Sequence, residues 1–249
     1  MSDRRHSPVE QQDIDVDSCT VDLRHRLLEE TPLFSEVPSG AITTINTRFT
    51  DTGYTAGETI IHEGDAAERF YVVAMGVVTL SRATEAGETI LLDVLISGES
   101  FGSIAGYGPP YYSAGASARS TVCALSIDGG GFRSIIAEHS SVALRTIETL
   151  SQRLYQAEEM ATQLGSAAAE ARIAHILLRL AAKLGRPWNG GTLINAPLTR
   201  EDLASMAGTT TETCSRVISS FRREGSINSG RGWIAVMNPE ALRERSPTI

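Results

Sequence analysis

The stretch from Leu198 to Arg223, LTREDLASMAGTTTETCSRVISSFRR, restricts what this chain can be more than any other. It divides into two short amphipathic segments around Gly208. In the second, Cys214, Val217, Ile218 and Phe221 fall at i, i+3, i+4 and i+7 and form one apolar stripe at helical period. Thr211, Glu212, Ser215, Arg216, Ser219 and Arg222 occupy the remaining surface, so one face packs and the other is free to meet something else. Thr199 and Thr209 are the expected N-caps, with Asp202 and Glu212 three residues further on, at capping-box spacing or a close variant of it. Two short helices with a tight turn between them read as a helix-turn-helix, a motif whose second helix enters the DNA major groove.

The rest of the chain is too long for that motif alone. With 249 residues, 41% of them apolar, two domains are expected. No run of about 18 apolar residues occurs, and the opening MSDRRHSPVEQQDIDVDS has no apolar centre. The expectation is a cytoplasmic protein with no membrane partner. The net charge of −8 is unevenly spread: residues 166–249 hold 11 Arg and Lys against 7 Asp and Glu, whereas the first 165 hold 11 against 23. An acidic body joined to a modestly basic reader suits a nucleic-acid partner. Cys19, Cys123 and Cys214 are far apart and form no CxxC pair, so neither a zinc finger nor a disulfide framework is expected. No nucleophile, base and orienter set appears, nor a His cluster at metal-ligand spacing, which argues against an enzyme and against a metal site.

Residues 1–20 read as a flexible arm. Helix-compatible segments at Val21–Leu28 and Ala41–Phe49 flank TPLFSEVPSG. Between Thr52 and Ile127, short β-like runs are separated by Gly57, Gly64, Gly76, Gly87 and Gly98, most of them 11 or 12 residues apart, the spacing of a β-sandwich or barrel. Within it FGSIAGYGPPYYSAG (101–115) looks like a loop or short helix held inside the barrel. From Phe132 a long helix is expected to reach Leu164, with Ile147, Leu154, Ala161 and Ala168 at one heptad position and Leu150, Ala157, Leu164 and Ala171 at the other. That register predicts a dimeric coiled coil; a helix packed on its own barrel is the alternative. Gly165-Ser166 is the expected hinge. Residues 168–184 should supply the core under the helix-turn-helix. EGSINSGRGWIAVMN reads as a β-hairpin wing with Arg231 at its tip, placed for a phosphate or simply solvated.

In this order of parts, and in the segments ETCSR at 212–216, LTREDLA at 198–204 and ARIA at 171–174, the chain resembles the Crp/Fnr family of bacterial transcription regulators over about residues 22–245. The resemblance implies an α+β fold: a cyclic-nucleotide-binding-like jelly-roll sensor at 21–131, a dimerisation helix at 132–165 and a winged helix-turn-helix at 166–249. It further implies a homodimer on a palindromic site in double-stranded DNA, an effector sensed in the barrel, and RNA polymerase as a partner if the protein activates. In the family the Glu and Arg of E-x-x-x-R read bases, here Glu212 and Arg216. Ser215 resembles the Fnr and Dnr branch, and Thr211 stands where the cyclic-AMP receptor branch has a further base-reading Arg. A TTGA-type half-site is therefore expected over TGTGA. Arg pairs bidentately with guanine and Glu accepts from the cytosine amino group, while a capping-box partnership with Thr209 is the alternative role of Glu212. Thr199, Arg200, Thr210 and Arg231 are the expected backbone contacts.

In the sensor the resemblance is weaker. Where the cyclic-AMP receptor has a Glu for ribose and an Arg for the cyclic phosphate, this chain has Ser103 and either Tyr112 or Ser113, and no arginine lies between Arg82 and Arg119. The polar pair that meets adenine is replaced by Ala157 and Glu158. Gly102, Ser103, Ile104, Ala105, Tyr112, Ser113, Ala157 and Glu158 form the candidate effector pocket, and cyclic AMP is disfavoured because a buried phosphate would lack a cation. The effector is then another molecule, or none is needed. A four-iron cluster requires four cysteines, and only Cys19 in the arm and Cys123 at a place like the distal ligand are available. Haem of the carbon-monoxide-sensor kind would want Cys or His in FGSI. A Dnr-like haem, nitric-oxide or redox role stays open. His62, His139 and His175 read as structural or surface residues, and Cys214 as a buried thiol. A competing reading of the whole chain, a sensing module whose helix-turn-helix contacts protein, has only the acidic net charge behind it.

Overall fold

A computed structural model describes residues 8–9, 20–104 and 107–246. The chain forms two compact units, one of residues 12–155 and one of residues 156–249 together with 1–11.

In the first unit, α1 (Val21–Glu30) is capped by Thr20, whose hydroxyl accepts from Leu23 N, and α2 (Ser39–Asn46) follows a single 3-10 turn. Eight strands come next: β1 (Thr50–Tyr54), β2 (Thr59–Ile61), β3 (Arg69–Met75), β4 (Val78–Ala83), β5 (Thr89–Leu95), β6 (Ser100–Gly102), β7 (Gly115–Ala118) and β8 (Val122–Asp128). They pair antiparallel in two four-stranded sheets, β1-β8-β3-β6 and β2-β7-β4-β5, the double-sheet arrangement of a jelly roll. β3 is buried on both sides, which is why RFYVVAM reads as a continuous apolar run instead of alternating. Its Tyr71 and Val73 point between the sheets with Val78, Leu95, Phe101 and Ala116. Phe70, Val72 and Ala74 point the other way, into a second core closed by Leu28, Phe34, Ile42, Ile45, Phe132 and Ile135.

The long helix expected from Phe132 is two helices. α3 (Gly129–Glu138) starts at the glycine run, where the Asp128 carboxylate accepts from Gly131 N at 2.9 Å; the same bond holds this carboxyl below the usual range. His139 adopts extended geometry, and α4 (Ser140–Ser166) begins after it. Its 27 residues make a rod of about 40 Å. The helix runs through Gly165, and the break comes at Ala168, an extended N-cap to α5 (Ala169–Leu184). Ala168 and Ala171 therefore leave the heptad seam, which ends at Leu164. The 101–115 stretch is also corrected: it holds the end of β6 and turns, with Tyr107 and Tyr111 exposed and, among the described residues, Phe101 and Tyr112 buried. Ala105 lies outside the described residues.

In the second unit α5 buries Ile173, Ile176, Leu177 and Leu180 on one side. β9 (Gly185–Trp188) and β10 (Gly191–Ile194) form a hairpin not expected from the sequence. α6 (Arg200–Met206), α7 (Thr211–Arg223), β11 (Ile227–Gly230), β12 (Trp233–Val236) and α8 (Pro239–Arg245) complete it, and the four strands pair in the order β11-β12-β10-β9. Among the described residues no helix is long and apolar enough to cross a membrane.

Candidate nucleic-acid interface

α6 starts with a complete capping box. Thr199 Oγ1 accepts from Asp202 N at 3.1 Å, and Asp202 Oδ2 accepts from Thr199 N at 2.7 Å. The turn to α7 needs Gly208, which sits at φ +56° with the Leu164 side chain so near that an added Cβ would lie 2.6 Å from it. α7 is capped by Thr210, not Thr209: the Thr210 hydroxyl accepts from Thr213 N at 3.2 Å. Glu212 is thereby in the second helical position and closes no capping box, so that role is withdrawn.

Cys214, Ile218 and Phe221 are buried as the stripe predicts. Burial pushes the Cys214 thiol up to about 11, against a smaller opposing pull from Arg200. On the opposite face Thr211, Glu212, Arg216, Ser219 and Arg222 are exposed and Ser215 is half-buried. Among the described residues no hydrogen bond or ion pair engages the side chains of Glu212, Arg216 or Arg231. The β11–β12 hairpin pairs Gly230 with Trp233 and presents Arg231 at its two-residue tip. Thr199, Thr210 and Arg231 are exposed. Arg200 differs from them: its Nη2 donates to Ser229 Oγ at 3.1 Å, its Nη1 is enclosed without a partner, and burial lowers its pKa. Arg200 thus ties the start of α6 to the wing.

The sequence did not single out Arg172. Its guanidinium donates to three carbonyls: Ala167 O at 2.6 Å, Ala207 O at 2.7 Å and Gly208 O at 3.1 Å. One side chain so joins the end of α4, the start of α5 and the turn before α7. The quoted ARIA segment contained it, but nothing in its spacing announced the partners.

Ser113, Ala157 and Glu158 are exposed. Tyr112 is buried between the sheets, where its hydroxyl donates to Arg69 O at 3.1 Å and accepts from Arg69 N at 3.0 Å. Beside it Tyr71 stacks on Phe101 with ring centroids 4.9 Å apart, and burial raises the Tyr71 phenol to about 12. The Arg69 guanidinium turns to Thr50 and Ser126. Among the described residues, Gly102, Ser103 and Ile104 line a cavity bounded by β6, the turn after it and α4. A disulfide engages Cys123, and Cys214 is free. Among the described residues no three His, Cys, Asp or Glu side chains cluster as metal ligands.

These features define a two-part protein with a nucleotide-binding-type β-barrel and a winged helix-turn-helix reader. Residues 52–139 match the cyclic nucleotide-binding domain and residues 171–245 the Crp-like helix-turn-helix domain. The global nitrogen regulator of Synechocystis is 31% identical over 192 residues, covering 76% of this chain and 84% of that protein. The CRP-like cAMP-activated global transcriptional regulator of Mycobacterium tuberculosis is 24% identical over 220 residues, covering 88% and 98%. Among solved structures, FixK2 of Bradyrhizobium japonicum aligns with a TM-score of 0.72 at 24% identity, over 81% of this chain and 98% of that one, which supports the fold. The chain belongs to the Crp/Fnr family of transcription regulators, with a DNA-binding helix-turn-helix. Its relatives are regulators and not enzymes.

Proposed function

We propose that this regulator acts in the cytoplasm as a homodimer that reads a palindromic TTGA-type site, with Glu212, Ser215 and Arg216 on base edges and Thr199, Thr210, Thr211 and Arg231 along the phosphate backbone. The observation that carries the reading is the exposed, unengaged pair Glu212 and Arg216, one helical turn apart at the start of α7 and opposite its buried stripe. Arg200 contributes through Ser229, by holding the wing. Pairing of two chains is supported by α4, where Ile147, Leu150, Leu154 and Leu164 are 49–60% exposed beside exposed Ala157 and Ala161. The effector is a molecule other than cyclic AMP, or none is required: of the two residues expected at the cyclic-phosphate position, Tyr112 is buried with its hydrogen bonds already made and Ser113 is exposed, and neither is a cation. As an activator the dimer would meet RNA polymerase. Fluorescence anisotropy on a labelled TTGAT-N4-ATCAA duplex tests the reading. Arg216→Ala should weaken binding by about 1–3 kcal/mol, and unchanged affinity would reject the assignment.

A further inference from the structure

The helix-covered core of the first unit contains one reactive group whose chemistry the reading of DNA does not use. Cys123 of β8 is 2% exposed, in a cluster with Leu28, Phe34, Ile42 and Leu125, and it is disulfide-bonded. The chain has three cysteines, and Cys214 is free. That leaves Cys19, which lies outside the described residues and directly precedes Thr20, the N-cap of α1.

The described neighbours of Cys123 place the start of α1 beside it. Cys123 pairs across the sheet with Gly53 of β1, whose lack of a side chain leaves the sulfur room on the face that α1 and α2 cover. The first turn of α1 is tied to the same strand. Arg24 Nη1 donates to Asp51 Oδ1, about 7 Å along β1 from Gly53, and Asn46 Nδ2 donates to Val21 O at 3.3 Å. The chain therefore enters α1 close to Cys123. The same cluster holds Phe132 and Ile135 of α3 and Val142 of α4, so a bond made at Cys123 fixes the start of α1 against the core from which the long helix departs.

We propose that Cys19 and Cys123 form a reversible thiol–disulfide pair that exchanges with small thiols and disulfides and thereby sets the DNA affinity of the protein. In a cytoplasmic protein a disulfide is as a rule transient, and redox sensing is one of its usual roles. Oxidation starts when the Cys19 thiolate attacks one sulfur of a small disulfide, breaking that S–S bond and releasing one small thiolate. The Cys123 thiolate then displaces the second small thiolate from the mixed disulfide on Cys19, which closes the bond. The two cysteines lose two electrons and two protons, and the small disulfide takes them up as two thiols. Reduction runs the same steps backwards and begins at Cys19, because the buried Cys123 sulfur is closed to a reagent. The exchange stands on the first unit alone. Its regulatory role rests on the DNA reading proposed above: the closed bond stiffens the core under α4, and the open pair releases it.

Differential alkylation of the purified, air-oxidised full-length chain maps the pair. The protein is denatured in light iodoacetamide without reductant, then reduced and treated with the heavy reagent. Cys19 and Cys123 should carry the heavy label and Cys214 the light one, and a light label at Cys123 overturns the proposal. Glutathione buffers test reversibility. The bond should open in about a hundredfold excess of reduced over oxidised glutathione and close again when the ratio is inverted. A bond that stays closed in the reducing mixture is a fixed crosslink, which also overturns the switch. Anisotropy on the TTGAT duplex is read in both states, and the closed form should bind at least about fivefold more tightly. Cys19→Ser should sit at the value of the open form and ignore oxidised glutathione; it leaves the core untouched, whereas Cys123→Ser would set a hydroxyl among apolar neighbours. Specific DNA binding that is equal in the two states removes the switch alone. A pair that opens and closes in a protein that ignores the duplex in both states supports the exchange and removes the proposed DNA target.

Discussion

The guanidinium of Arg172 holds the backbone carbonyl of Gly208 at 3.1 Å, and the same group holds Ala167 at the end of the long helix. Gly208 is also the residue whose missing side chain makes room for Leu164. The turn that sets the angle between α6 and α7 is thus fixed from two directions, by a cation on its carbonyls and by an α4 leucine over its Cα.

Replacing Arg172 with Gln should cost about 2–3 kcal/mol of stability, since three carbonyls lose a charged donor at once. Gly208→Ala should cost about 1–2 kcal/mol from the left-handed backbone, plus the contact with Leu164. Denaturant titration of Gly208→Ala with and without Leu164→Ala separates the two contributions. The double variant should recover the contact part and retain the backbone part, so strict additivity of the two changes would show that Leu164 does not press on the turn.

Cys214 should be slow to react in the folded protein. Its thiol is buried and raised to about 11, so very little thiolate exists at pH 8. Timed alkylation with iodoacetamide, read at the Cys214 peptide by mass spectrometry, should show protection that is lost on unfolding. Prompt native labelling would make this residue a redox candidate.

The α4 seam predicts that Leu154→Glu converts a dimer to a monomer. Leu154 is 60% exposed in the single chain, and pairing would bury two glutamates face to face. Light scattering on a sizing column gives the mass directly. A monomeric unaltered protein, or a dimer unaffected by the change, is the contrary result.

His175 should make the second unit less stable in acid. Burial holds its imidazole below the ordinary value of 6.5, outweighing the opposite pull of Glu159 at 3.9 Å, with Arg179 adding to the depression. The unfolded chain therefore binds the proton more readily, so the contribution is present above 6.5 and is lost as pH falls below it. Thermal melts between pH 8 and 5 should fall less steeply for His175→Gln than for the unaltered chain. Parallel curves would place the acid sensitivity elsewhere.

Much of this architecture was legible because it rests on periodicity. The Cys214, Ile218 and Phe221 stripe, the glycine-spaced strands and the wing around Arg231 each repeat at the period of the element they form. What escaped has no period. The break at His139 depends on one residue's backbone, and the Thr210 cap differs from the expected one by a single position among three consecutive threonines. The hairpin of β9 and β10 is only four residues a side. The candidate pocket had no period to guide it either: Tyr112, one of the two residues matched to a phosphate-binding position, packs its ring between the sheets. Arg153 and Arg172 act on backbone carbonyls distant in sequence, and such partners leave no trace in residue spacing.

The central claim is that Glu212, Ser215 and Arg216 select a TTGA-type palindrome. A gel-shift competition between TTGAT-N4-ATCAA and TGTGA-N6-TCACA at physiological salt tests it most directly. The account predicts tighter binding to the first duplex, by about 10-fold or more, with the preference abolished by Arg216→Ala. Equal, weak binding to both duplexes that disappears as salt is raised would mean that the chain grips only the phosphate backbone, and would contradict it.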